Sequence, residues 1–340
     1  MSTYKGKEVG FYTLCGGDVK AVITNFGARI MSLHVGGVDV VLGFDSIDDY
    51  FPQNHVSDFG AVIGRFANRI AKGRFAIDWD IVQLPRNNGP NCLHGGPDGW
   101  QYQPFDVLEA SSTTLHLALI SPDGDNGFPG TVHAEVTYTL SPDGALRIDY
   151  SASTDQPTVI NLTNHSYFNL NGTDKESPLT DIQNHILGID ADFYTPTDST
   201  AIPLGKHSPV EGTPFDFRSP KPIGRDIATN HPQLHIGRGY DHNFVLRSPS
   251  LDHPSASLSS PVTGISLQVF TTAPGMQLYT GNFLDGVHGK NGIIYPVRSA
   301  VCLETQQYPD SPNHRWPEST GRLMPDHPFS STTIFKFSKQ

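Results

Sequence analysis

Apolar and polar positions alternate with a period of two through long stretches of this chain. In Val132-His-Ala-Glu-Val-Thr-Tyr-Thr-Leu140 the residues Val132, Ala134, Val136, Tyr138 and Leu140 share one face. Thr131, His133, Glu135, Thr137 and Thr139 share the other, which predicts a strand buried on one side and wet on the other. Thr113–Ser121 and Ala145–Thr154 flank it, with Pro122-Asp-Gly124 and Pro142-Asp-Gly144 supplying turns, so the three form an antiparallel meander. Earlier, Val19–Ile23, Ile30–Val35 and Val38–Leu42 are short apolar runs, the last two joined by a Gly36-Gly37 hairpin turn. Later strands are predicted over Ile265–Thr272, Met276–Tyr279, Gly292–Pro296 and Ala300–Gln307. Ser46–His55 predicts one helical turn with Ser46 as its N-cap, and no amphipathic helix of any length is expected. Residues 171–240, rich in Pro, Gly, Asp and Thr, predict irregular loops and short strands, and Ser248–Pro261 a mobile loop.

Two stretches break this plain pattern. In Asn161-Leu-Thr-Asn-His-Ser-Tyr-Phe-Asn-Leu170, strand periodicity sorts Asn161, Thr163, His165, Tyr167 and Asn169 onto one face. Such a row offers hydrogen bonds and an aromatic wall to a polyhydroxylated ligand, or else its members satisfy one another in a buried polar network. Both readings stand on this stretch alone. In Ala300–Gln307, Glu304 is a carboxylate in mid-strand, facing away from Val301 and Leu303. Ala61–Ile70 holds Arg65, Asn68 and Arg69 among apolar neighbours, either as structural pairs or as a clamp on an oxygen-rich ligand. His94 precedes Gly95-Gly96, where missing side chains let a ligand or another backbone come close. Asp241 stands at a strand entrance in Gly239-Tyr-Asp-His-Asn-Phe244.

Composition narrows the chemistry. The 33 Gly and 27 Pro among 340 residues favour many short strands over helices. A net charge of -11 without a run of Lys or Arg argues against nucleic acid and anionic membranes as partners. Cys15, Cys92 and Cys302 form no paired motif, which fits a reducing compartment. No secretory signal or apolar span is visible, so a cytoplasmic protein is expected. Dinucleotide, P-loop, zincin and serine-elbow motifs are missing from the sequence, and His94 and His165 lack metal-ligand spacing. What remains is an acid–base pair, His165 and Glu304, with a polar cup of Asn68, Arg69, His94, Tyr167, Asp241 and Gln277. Anomer interconversion asks for no more. A proton leaves the O1 hydroxyl, another reaches the ring oxygen, the ring opens and recloses, and no cofactor or metal is needed. A carboxylate near its reference pKa of ~4.3 would be ionised at neutral pH, and an anion nearby, such as Asp241 or Glu304, would help the imidazole hold its proton.

Six motifs in order closely resemble the aldose 1-epimerases. They are Gly64-Arg-Phe-Ala-Asn-Arg-Ile70, Leu93-His-Gly-Gly96, Asn161–Leu170, Gly239–Phe244, Thr272–Phe283, and Leu303-Glu-Thr-Gln306 with Pro309-Asp-Ser-Pro312. The resemblance implies an all-β fold, a large antiparallel β-sandwich, with residues 1–340 as one domain. It implies Glu304 as general base on the anomeric hydroxyl, His165 as general acid at the ring oxygen, and His94 near the same oxygens. Asn68, Arg69, Asp241 and Gln277 would hold the remaining hydroxyls, with Tyr167 as a wall. Arg65 and His242 would be scaffold. The implied partner is a monosaccharide, bound by a monomer or homodimer. Trp100 and Ser248–Pro261 depart from the family pattern and could alter which sugar fits. A hexose 6-phosphate epimerase of the same fold, a non-catalytic sugar-binding protein and a glycosidase using Asp241 with Glu304 are the alternatives.

Overall fold

The computed structural model describes residues 2–55, 57–173 and 180–339. Among them, three antiparallel sheets carry most of the architecture. The largest has nine strands, ordered Asp106–Ala110, Thr114–Ser121, Val132–Leu140, Ala145–Thr154, Phe329–Lys339, Ile265–Thr271, Ala256–Ser259, Ile186–Ile189 and Lys221–Pro222. Phe329–Lys339 therefore lies in its middle, bridging the meander of residues 106–154 to the later strands. A five-stranded sheet runs Ser208–Pro209, Ala191–Tyr194, Asp241–Leu246, Gly275–Tyr279 and Cys302–Gln306. Four strands between Phe11 and Asp39 make the third, with the Gly36-Gly37 turn joining Arg29–Val35 to Val38–Asp39.

The period-two pattern explains how the layers close. Val132, Ala134, Val136, Tyr138 and Leu140 are buried while His133 and Glu135 are exposed. Their face meets Leu14, Ala21, Ile23 and Leu33 of the four-stranded sheet, and one apolar core continues to Phe244, Met276, Leu278 and Leu303 of the five-stranded sheet. That last set fixes the site. With Phe244, Met276, Leu278 and Leu303 turned into the core, alternation turns Asp241, Gln277, Tyr279 and Glu304 to the opposite face. Registration then aligns Asn243 with Gln277 and Gln277 with Glu304 across three neighbouring strands.

Three sequence expectations change. Ser46–His55 holds a single 3-10 turn, Asp48–Tyr50, and Ser46 acts two residues ahead, its hydroxyl accepting from the Asp48 N–H at 3.2 Å. Within the expected mobile loop Ser248–Pro261, four residues, Ala256–Ser259, form a strand paired on both sides. Alternating burial of Ala256 and Leu258 against the core outweighs the local Ser and Pro content. Asn161–Leu170 is no continuous strand. Only Thr163–Asn164 pairs regularly, with Val62–Ile63, and single bridges hold Asn161 and Phe168. Residues 171–240 do consist of loops and short strands, although positions 174–179 lie outside the described residues. Among the described residues no helix is long and apolar enough to cross a membrane.

Candidate active site

The two readings of Asn161–Leu170 divide the stretch between them. Asn161 donates to the Ala67 and Gln307 carbonyls at 3.0 and 3.1 Å and accepts from the Gln307 N–H, and Asn169 donates to the carbonyls of Thr180 and Ser299. These amides are structural. His165 and Tyr167 instead stack with ring centroids 4.9 Å apart and open onto a cavity of about 330 Å³. Asp58, Asn68, Arg69, Asn88, Leu93, His94, Asp241, Tyr279, Phe283 and Glu304 complete its lining.

Glu304 reaches the floor from its mid-strand position, and its Oε1 lies 3.6 Å from His165 Nε2. The other carboxylate oxygen, Oε2, and the other ring nitrogen, Nδ1, are buried without partners. Both side chains are thus held by packing and their remaining polar capacity is free for a ligand. Above them, two motifs distant in sequence interlock. The Asn68 N–H donates to His94 Nδ1 at 3.1 Å, and the His94 N–H donates to the Asn68 carbonyl at 3.1 Å. Asn68 and His94 both adopt left-handed backbone, with φ of 63° and 52°, a conformation costly to most residues and accepted where the surroundings enforce it. Gly95 is required here, since a Cβ would strike the Gly64 carbonyl. Arg69 donates through Nε to Asn88 Oδ1 at 3.0 Å and lines the cavity.

Gln277 shares the outward face with Glu304 and is aligned with it on the neighbouring strand. It donates from Nε2 to Asp241 Oδ1 at 2.6 Å and is not among the lining residues, so it braces the carboxylate that is. Arg65 turns away altogether. Its guanidinium donates to the carbonyls of Pro129 and Gly130 at 2.8 Å and to the Ser121 hydroxyl at 2.6 Å, pinning the neighbouring loop. His242 faces the core, accepting from the Asp241 N–H and donating from Nε2 to Gln233 Oε1 at 3.0 Å. Trp100 is buried beneath Gly64, and neither it nor Ser248–Pro261 lines the cavity. Tyr279 and Phe283, which lay inside a quoted motif without a role, form an aromatic rim with Arg238 over the Phe283 ring. Asp58 and Asn88 carried no signal in the sequence.

Electrostatics in the cavity move Glu304 away from the ordinary carboxylate range expected of it. Burial, with Asp241 and Asp58 nearby, raises its pKa well above the ordinary value, and Arg69 opposes this only in part. Burial also lowers His165 to about 3, helped by His94 and opposed by Asp58. His94 is lowered to about 3 by burial and Arg69.

The fold also gathers Asp58, His94 and His165, with one potential ligand atom from each within 4.8 Å of the others. Sequence spacing gave no hint of this grouping. Its polarity is wrong for a cation, however. His94 Nδ1 accepts a backbone N–H, which fixes the ring proton on Nε2, whereas a metal-bound imidazole donates through its second nitrogen.

Four buried rings make stability sensitive to acid. His94, His165 and His242 are lowered to about 3 and His185 to about 4, chiefly by burial. A group depressed in this way binds fewer protons folded than unfolded, so its contribution is lost as pH falls below ~6.5 toward the folded value. By about pH 5 each ring costs about 2 kcal/mol on that linkage, while the raised Glu304 acts in the opposite sense above its unfolded pKa. Thermal midpoints are expected to drop between about pH 7 and about pH 5, less steeply in His242→Gln. Midpoints flat across that range would refute the buried-neutral assignment.

A broad antiparallel sandwich whose outward sheet face presents an acid–base pair inside a polar, aromatic-rimmed cup has the construction of a carbohydrate isomerase. The family model described as aldose 1-epimerase matches residues 10–336. A galactose mutarotase from Homo sapiens is 44% identical over 344 residues, covering 98% of this chain and 95% of that protein. An aldose 1-epimerase from Escherichia coli is 38% identical over 322 residues, covering 93% and 91%. The crystal structure of an aldose epimerase homologue from C. elegans superposes with a TM-score of 0.88 at 30% identity, covering 98% of this chain and 99% of that one. This chain belongs to the aldose 1-epimerase family, and it is an isomerase that interconverts sugar anomers.

Proposed function

We propose that the substrates are free aldoses such as glucose and galactose, with Glu304 as general base on the O1 hydroxyl and His165 as general acid at the ring oxygen. One observation carries these roles: the 3.6 Å approach of His165 Nε2 to Glu304 Oε1 at the cavity floor. O1 and the ring oxygen are borne by the same carbon, so an acid and a base acting on them must be neighbours, as these are. As O1–H passes its proton to Glu304 and His165 Nε2–H gives its own to the ring oxygen, the C1–O bond of the ring breaks and the carbonyl forms. Rotation about C1–C2 and reversal of both transfers give the other anomer. His94, with its proton on Nε2, supplies a neutral donor to the oxygens on which charge develops. Asp241 and Arg69 engage the remaining hydroxyls, Gln277 bracing Asp241 and Asn68 bracing His94.

We read residues 1–340 as one domain, acting as a monomer or homodimer. Three unpaired thiols suit a reducing, cytoplasmic setting. A hexose 6-phosphate as substrate is disfavoured because Arg69 is the one Lys or Arg among the residues lining the cavity, Arg65 being spent on backbone carbonyls. Polarimetry of freshly dissolved α-galactose and α-glucose tests the reading. Acceleration toward the equilibrium rotation with no new product supports it, and an unchanged rate rejects it. Arg69→Ala should raise KM by ~10–100-fold through loss of a charged hydrogen bond to the sugar, with kcat changed less. A kcat loss at constant KM would instead give Arg69 a part in the chemical step.

A further inference from the structure

One carboxylate of the cavity is idle in the scheme above. Asp58 lines the cavity, its Oδ1 is buried without a hydrogen-bond partner, and its carboxylate lies within 4.8 Å of ring nitrogens of both His94 and His165. An orphaned carboxylate oxygen is costly, and the structure goes to some length to hold this one in place. Arg29, wholly buried, donates through Nη1 to the carbonyls of Ser57 and Phe59 at 3.1 and 2.8 Å, the residues on either side of Asp58. Its Nη2 donates to the Gln101 carbonyl at 2.8 Å, and the guanidinium lies 4.8 Å over the Tyr50 ring. The cation therefore clamps the Asp58 loop by its backbone and forms no ion pair with the Asp58 side chain, which stays free to face the histidines. A second tie joins the Asp58 loop to the His165 backbone. The Gly60 N–H donates to the His165 carbonyl at 2.9 Å and the His165 N–H donates to the Ala61 carbonyl at 2.8 Å.

We propose that Asp58 is a positioning residue for the acid step, its carboxylate holding the proton on His165 once Glu304 has become the base. This rests on the roles proposed above for His165 and Glu304. The ring of His165 is faced by His94, Glu304, Tyr167 and Tyr279, with Arg29 further back. His94 and Arg29 work against an imidazolium, and the tyrosines are neutral. Glu304 cannot serve as a lasting counter-ion because it must itself take a proton and return it. Asp58 remains, a carboxylate that no step consumes. In the reactive state Glu304 is the base and His165 carries the proton. The O1 proton then goes to Glu304 as the His165 proton goes to the ring oxygen, and reclosure returns both, so the proton count is unchanged and Asp58 exchanges no proton.

The test is the pH dependence of kcat and KM, by polarimetry, for Asp58→Asn and Asp58→Glu. Loss of the anion should lower kcat by ~10–100-fold near neutral pH with KM within about threefold. The alkaline limb, where His165 gives up its proton, should move down by about one pH unit or more in Asp58→Asn, and Asp58→Glu should restore most of both effects. A raised KM with an unmoved pH profile would make Asp58 a sugar contact or a loop prop and overturn the proposal, as would an unaltered enzyme. Should Asp58→Asn fail to fold, a titration of the imidazole nitrogens by NMR in the sugar-bound wild type decides. A His165 ring protonated near neutral pH upholds the proposal and a neutral ring defeats it. Glu304→Gln and His165→Asn are measured alongside. If those two keep their rates, the acid–base reading itself is gone, and if they lose them while Asp58→Asn does not, only the role of Asp58 is.

Discussion

Glu304→Gln is expected to reduce kcat for anomer exchange by ~10²–10⁴-fold while sugar affinity changes by no more than a few-fold. Glutamine has nearly the same shape, so the strand position, the core contacts of Leu303 and the 3.6 Å approach to His165 are kept. What disappears is an oxygen able to accept the O1 proton. The same variant should be no less stable, and more stable at alkaline pH. Burial holds the Glu304 pKa well above its ordinary value, so ionising it in the empty cavity opposes folding as pH rises above the unfolded pKa. A neutral amide carries no such penalty. Lost activity together with equal or higher thermal midpoints is the expected pattern. Activity within an order of magnitude of wild type would remove Glu304 from the role of base.

His165→Asn is expected to produce a loss of the same order, ~10²–10⁴-fold in kcat, with a smaller change in KM. Its imidazole is buried, stacked on Tyr167 and edge-on to His94, so truncation also vacates space beside both rings. Isothermal titration with the sugar separates the two effects. Binding should persist because Arg69 and Asp241 are untouched, whereas the pH–rate profile should lose its alkaline limb along with the proton donor. Equal losses in affinity and rate would reduce His165 to a binding contact.

How far the sequence reached depended on the range of the interactions involved. The strand over Val132–Leu140 was legible because burial on one face repeats every second residue, and the same periodicity set Glu304 apart from Leu303. Alternation failed over Asn161–Leu170 because the backbone there is held by side-chain amides and single bridges in place of a ladder. Resemblance supplied the convergence of His94, His165, Asp241 and Glu304, which no local pattern could have given. Asp58 escaped both routes. It precedes the first quoted motif, and it enters the cavity only because residues near it meet the 163–165 segment, a contact of the kind made between Asn164 and Gly60 across 104 positions. Gln277, expected at the sugar, also donates to Asp241, a tie between neighbouring strands that the sequence pattern does not announce.

The central seat of Phe329–Lys339 in the great sheet has a consequence for the chain while it is being made. The hydrogen bond from Thr332 to Asp149 spans 183 positions, so Ala145–Thr154 emerges long before the strand that will cover its edge. At ~5–20 residues per second, synthesis leaves that edge open for roughly 10–40 s. Unpaired strand edges recruit other chains, so nascent polypeptides arrested just short of Phe329 should associate with each other or with chaperones, and those carrying the full strand should not.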